Sequence, residues 1–339
     1  LEGNFALQGF QSAAFGADQD IRFNAVAVSG SPTYTGSLSA AGNLVFKSAQ
    51  AYPTTLSTFR VSTPADVTFT GNGHAAPLPL SAGGRLSVNA ANIFQNGVLR
   101  APLGSLYLTA GNTIRLGDGS LTSVSAAGAL LPLGQTTSDG SEWVYQLDNY
   151  TLILDAPPEK SIRLDAPDIQ VRATAGLDLS GGGDLYAYEF LPGPGGSRDI
   201  LAEPGVYAVI PGYGAGYAPR DIQNSDSTLQ AGASVYLSGG GGLNAGVYTL
   251  LPAHYALMPG AYLVKAVSGY QDMLPHQNRA LADGAALVAG RALVNGTDIA
   301  AGRSQGYLVA SGDVVRTYSS FIESHANTFF TQAAQATGD

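Results

Sequence analysis

The chain has 339 residues, 45 % of them hydrophobic but only 12 % charged, and it carries a net charge of −9 with no cysteine. A chain this long and this apolar can bury a large core, which aliphatic contacts must hold because no disulfide can form. Its 16 Lys and Arg are scattered, which argues against nucleic acid and anionic membrane as partners, and no apolar run reaches the roughly 18 residues of a membrane span.

The sequence opens on Leu1-Glu2-Gly3-Asn4, with neither Met nor a signal-peptide pattern, and reads as a piece of a longer protein. A short phrase then keeps returning: a turn with Gly, two aliphatic residues one apart, and a small residue. It reads Gly42-Asn43-Leu44-Val45-Phe46-Lys47-Ser48, then Gly84-Arg85-Leu86-Ser87-Val88-Asn89-Ala90, then Gly104-Ser105-Leu106-Tyr107-Leu108-Thr109-Ala110. Weaker copies sit at Ile162-Arg163-Leu164, Leu177-Asp178-Leu179 and Val235-Tyr236-Leu237. Alternation of aliphatic with polar residues predicts a short strand with one buried face, and the spacing of about 20 residues between Leu86 and Leu106 is that of a solenoid rung. One such strand cannot bury its apolar face alone, so successive rungs stack in parallel around a shared core. The 44 Gly supply the corners. Rungs are clearest over residues 1–183, interrupted between Gln135 and Tyr150 by a polar loop or side hairpin around Trp143.

Residues 184–230 are dense in Gly, Pro and Tyr and read as an insertion. A second repeat flanks it: Pro204-Gly205-Val206-Tyr207-Ala208-Val209-Ile210-Pro211 matches Ala245-Gly246-Val247-Tyr248-Thr249-Leu250-Leu251-Pro252, with an echo at Pro259-Gly260-Ala261-Tyr262-Leu263-Val264. Alternating Tyr and aliphatic residues ending at Pro predict short strands, and residues 231–315 read as a continuation of the coil. Ser320-Phe321-Ile322-Glu323 has the form of a capping box, and Ile322, Ala326, Phe329, Phe330 and Ala333 share one helical face. A helix over about 319–335, within a terminal segment 316–339, is expected to close the last rung.

The phrases Ala41-Gly42-Asn43-Leu44-Val45-Phe46 and Gly97-Val98-Leu99-Arg100-Ala101-Pro102-Leu103-Gly104-Ser105-Leu106-Tyr107-Leu108 resemble the filamentous haemagglutinin family of large bacterial exoproteins, which are exported by two-partner secretion. The resemblance is clear over residues 36–180 and weaker over 231–310. It implies a right-handed parallel β-helix, so that with the inserted loops or hairpins and the short C-terminal helix read from the residues the expected fold is all-β. It further implies a secreted protein at the surface of a Gram-negative bacterium, with a part in adhesion, aggregation or biofilm. An outer-membrane transporter would be engaged by a region outside this chain, since the family's secretion domain is not evident here.

Parallel β-helices also carry polysaccharide lyases and hydrolases, which gather Asp with Arg or Lys on one exposed sheet. The candidates here are Arg163, Asp165, Asp168, Arg172, Asp178 and Asp184, with Arg163 and Asp165 on one outward face and Asp178 one rung above. The plainer reading is a solvated face of mixed charge. A stalk for a toxin lying beyond residue 339 is a third function. Gly181-Gly182-Gly183-Asp184 is a single copy of a calcium-binding phrase that requires tandem copies, and it reads as a turn. His74, His254, His276 and His325 lack metal-site spacing and read as surface or loop residues, so no metal and no cofactor is expected. Tyr rings that stack on sugars or fill an interface make Tyr207, Tyr213, Tyr217, Tyr248, Tyr255 and Tyr262 the candidate binding residues, against the alternative of ordinary packing. The combined expectation is a non-enzymatic adhesive scaffold whose partner is a cell-surface glycan, a protein receptor or another copy of itself.

Overall fold

In the strand Asn43–Ser48 every second side chain, Leu44, Phe46 and Ser48, is buried while Asn43, Val45 and Lys47 face outward to different degrees. The same two-residue period runs through Tyr34–Ala40, Ser57–Ser62 and the first half of Arg85–Asn96. The computed structural model describes residues 1–27, 33–147, 150–193, 198–214, 216–219 and 231–337. The chain divides into two units, one of residues 1–133, 147–185 and 325–339, the other of residues 134–146 and 186–324.

The first unit is built of parallel strands that return to the same three sides. On the first side Asn4–Leu7, Tyr34–Ala40, Ser57–Ser62, the start of Arg85–Asn96, the start of Ser105–Leu116 and Ser161–Asp165 lie in that order. On the second side the order is Ser12–Gly16, Asn43–Ser48, Asp66–Gly71, the ends of the two long strands, and Asp168–Val171. The third side carries Asp20–Phe23, Gln50–Pro53, Val98–Arg100, Leu121–Ser123 and Gly176–Asp178. The chain thus passes through six windings, and the third winding has no strand on its third side.

Because register is kept, like residues stack in columns. Phe5, Leu38, Val61, Val88, Leu108 and Leu164 form one inward column. Phe15, Phe46 and Phe69 form another, with neighbouring ring centroids 5.4 and 5.1 Å apart and stacked. That column continues into Gln95, which is fully buried. Its amide donates to the carbonyls of Gly97 at 3.1 Å and Leu121 at 2.9 Å and accepts from the Gly97 N–H at 3.0 Å, so a polar group inside the core has its bonds made.

Corners demand special backbone. Leu56, Gly83 and Leu103 occupy the same corner of successive windings, all with positive φ, of 51°, 69° and 51°. The windings approach closely at Gly104, where a Cβ would lie 2.1 Å from the Gly84 carbonyl oxygen, so only glycine fits.

The second unit is a different kind of sheet. Val206–Val209, Tyr262–Gln271, Gln305–Ser311, Ala286–Leu293, Ser234–Leu237 and Gly246–Thr249 pair in that order, every contact antiparallel. A bridge between Ala208 and Leu251 joins the two ends of this path, and the backbone bonds across it are 2.9 and 2.8 Å. The sheet so closed is filled by Val209, Val235, Leu237, Leu250, Val264, Val288, Val309 and neighbouring side chains. The expectation that 231–315 continues the coil is therefore overturned. Its strands were legible, but alternation has the same period in either pairing sense. The turn decides, and Gly239–Gly242 folds Ser234–Leu237 back onto Gly246–Thr249 with paired bonds between Gly240 and Leu243.

Of the loop or side hairpin expected around Trp143, the hairpin forms, with Gln135 opposite Val144 and Thr136 opposite Trp143. The expected insertion 184–230 contains the strands Asp184–Phe190 and Val206–Val209, while 194–197, 215 and 220–230 lie outside the described residues. The C-terminal segment differs from the expectation. Gly312–Tyr318 forms helix α1, Phe321–His325 is a strand, and the last helix, α2, runs Ala326–Thr337. The capping box at Ser320 does not form, because Phe321–His325 is drawn into extended pairing beside Asp184–Phe190. Instead the Asp184 carboxylate accepts from the Asn327 N–H at 3.0 Å and pairs with His325 at 3.2 Å. The helix does not shield the last winding, whose inward residues Ile169, Val171 and Leu177 remain 43, 50 and 41 % exposed.

All-β architecture is thus established, with parallel, curled sheets in one unit and an antiparallel closed sheet in the other.

Candidate functional site

Where the second side of the early windings turns into the third, a recess of about 620 Å³ is lined by Gly16, Ala17, Asp18, Lys47, Asn72 and His74. Register places it there: Gly16 pairs with Lys47 and Lys47 with Thr70, so the ends of three stacked strands share one corner. Alternation turns Lys47 outward, since Phe46 and Ser48 point into the core. The chain after Gly71 then leaves the coil, and its first residues fold back as a wall. The Asn72 amide donates to the carbonyls of Ala17 at 2.9 Å and Asp18 at 2.8 Å, and its oxygen accepts from the His74 N–H at 3.0 Å. His74 Nδ1 stands 3.0 Å from the Asp18 carbonyl oxygen. A carbonyl only accepts, so Nδ1 carries the proton here, and in the neutral ring Nε2 is an acceptor. Among the described residues Lys47 has no ion-pair partner, and the two charged residues that line the recess, Asp18 and Lys47, do not pair with each other.

The charged residues expected to form one cluster are divided among the three sides of the last winding. Arg163 and Asp165 share the first side, 3.2 Å apart and largely solvated, as alternation predicted. Asp168, on the second side, accepts from Gln170 at 2.7 Å and Thr113 at 3.4 Å. Asp178 lies on the third side of the same winding, not one rung above. It accepts from Ser180 and from Ser123, the latter at 3.0 Å, and these bonds with the nearby Arg100 hold its carboxyl below the usual range. Arg172 is in an exposed turn, and Asp184 caps α2. Each of these carboxylates except Asp184 bonds to groups of its own or the neighbouring winding, and Asp184 bonds to α2 and the residue before it.

The candidate tyrosines are dispersed as well. Tyr207 and Tyr248 are buried inside the closed sheet, where burial pushes the Tyr248 hydroxyl up while it donates to the Asn244 carbonyl at 2.7 Å. Tyr255 is buried in a short 3-10 turn, its ring 4.9 Å from that of His254, and Tyr188 stacks on His254 at 5.6 Å. Tyr213 donates to the Tyr217 carbonyl at 2.8 Å, both half-buried, and Tyr262 packs partly against the closed core. An exposed platform of six rings is not what these positions form; packing uses at least Tyr207, Tyr248 and Tyr255. His254, expected at the surface or in a loop, is buried in the short 3-10 turn, whereas His74, His276 and His325 are not buried.

Among the described residues no group of three or more metal-ligating side chains converges, and no helix is long and apolar enough to cross a membrane. The recess escaped the sequence reading because its members span positions 16 to 74. The one signal was Lys47, a lone cation at a rung end. No protein-family model, curated protein or solved structure matches this chain.

Proposed function

We propose that the chain is a structural and adhesive part of a large secreted bacterial surface protein, its first unit a right-handed parallel β-helix of the filamentous haemagglutinin type. The observation that carries the reading is the stack of six windings in continuous register, with aliphatic columns inside and polar side chains outside. Such a stack is a scaffold: each winding is stabilised by its neighbours, and outward positions are free to vary. On the outside, Asn43, Asp66 and Asn92 continue one another, the Asn92 amide donating to Asp66 at 2.7 Å and the Asp66 N–H to Asn43 at 3.1 Å. These bonds tie winding to winding and present a polar surface suited to contact with glycans or protein receptors.

In this reading the protein binds at a cell surface and turns nothing over. The dispersal of Asp165, Asp168 and Asp178 over three sides supports it against a lyase or hydrolase. Incubation with a panel of acidic polysaccharides, followed by size analysis of the products, tests it. Intact polymer together with saturable retention of the protein on glycan-bearing cells is expected. Chain cleavage that disappears in Asp165→Ala or Asp168→Ala would overturn it.

A further inference from the structure

The recess at Asp18, Lys47, Asn72 and His74 has the attributes of a small-ligand site that the scaffold itself does not require. Its size falls within the ~300–1,000 Å³ of ordinary small-molecule sites. Its wall is fixed in advance, because Asn72 and His74 make four hydrogen bonds between them to the chain at Ala17 and Asp18 and to each other. Preorganisation of this kind lowers the entropic cost of binding. Gly16 leaves its floor open, with no atom within 4 Å of where a Cβ would stand.

Among the described residues three groups remain without a partner after the wall is built: the Lys47 ammonium, the Asp18 carboxylate and His74 Nε2. A lone ammonium on a flexible stem is a point charge for an anion. A carboxylate and a neutral imidazole nitrogen both accept, which suits hydroxyl groups. A ligand that satisfies all three carries one anionic group and several hydroxyls on a compact frame.

We infer that this recess binds a carboxylated sugar residue, Lys47 holding the carboxylate while Asp18 and His74 Nε2 accept hydrogen bonds from ring hydroxyls. A simple anion would leave Asp18 facing like charge, and a neutral sugar would leave Lys47 unused. The inference deepens the adhesive reading by naming a ligand class, and rests on it only for the biological meaning of the binding.

Calorimetric titration of the full chain with D-glucuronate, D-glucose and glycine tests it. Glucuronate should bind with a Kd of about 1 mM, the ordinary scale of a single sugar, and glucose at least tenfold more weakly. Lys47→Ala should weaken glucuronate binding at least tenfold and Asp18→Asn about threefold. Arg163→Ala, which removes an exposed cation in the last winding, should leave it unchanged. Lys47 and Asp18 are at the surface, and unchanged thermal melting of the variants would show that the fold is kept. Equal binding of glucose and glucuronate, tighter binding of glycine, or a Lys47→Ala titration like that of wild type would each overturn the assignment. Cell retention of the unaltered protein separates the two proposals: retention by a protein that does not bind glucuronate sinks the recess alone, while polysaccharide cleavage sinks the adhesive reading and leaves the titration standing.

Discussion

Ile114 and Ile169 are register partners on adjacent windings, yet Ile114 is fully buried and Ile169 is 43 % exposed. The same residue type in the same column differs only in whether another winding lies beyond it. Burial in this unit is therefore supplied by neighbours, winding by winding.

Ile114→Ala should cost about 2–5 kcal/mol, because it opens a cavity between two windings that cannot collapse without losing register. Ile169→Ala should cost under about 1 kcal/mol, having little buried surface to lose. Urea unfolding of the two variants measures the difference. Equal costs would mean that the last winding is covered in solution.

Gly104→Ala is expected to destabilise by about 1–3 kcal/mol or more, since its Cβ would meet the Gly84 carbonyl oxygen at 2.1 Å and backbone cannot swing aside as a side chain can. Gly111→Ala is the control. Nothing stands within 4 Å of its Cβ, so it should be neutral or stabilise by up to about 1 kcal/mol through the unfolded chain. Thermal melting of both variants provides the comparison.

A pH dependence follows from Tyr318, whose hydroxyl donates to Asp283 at 2.7 Å. That bond, first among the causes, lowers the Asp283 carboxyl, and burial with the same partner raises the Tyr318 hydroxyl. A lowered carboxyl binds fewer protons folded than unfolded, so its contribution is complete above the ordinary carboxylate value of about 4 and is lost as pH falls through the lower folded value. A raised phenol behaves oppositely: its contribution is complete below about pH 10 and is lost as pH rises beyond it. Tyr318→Phe should therefore flatten both limbs of a plot of urea midpoint against pH. Limbs as steep as those of wild type would place the bond outside the stability of this unit.

Much of the first unit was legible in the residues. Leu44, Phe46, Leu86, Val88, Leu106 and Leu108 alternate strictly, and alternation repeated at a rung's spacing leaves stacking as the way to bury them. The site was less legible, because Gly16, Lys47 and His74 become neighbours only when windings are laid on one another. The six tyrosines illustrate the limit from the other side. Tyr207 and Tyr248 alternate with aliphatic residues, which marks a strand but not which of its faces turns inward, and closure of the sheet placed these two in the core.

From composition and periodicity alone came many of the strands, the turns at Gly and Pro and the need for a shared apolar interior, since all of these are properties of neighbours in sequence. Pairing sense in residues 231–311, the place of α2, the separation of Asp165 from Asp178 and the assembly of the recess were decided by tertiary structure. The physical reason is common to all four. A two-residue period reports that a face is buried but is blind to what buries it, and that partner is chosen by turn geometry and register between segments far apart in the chain.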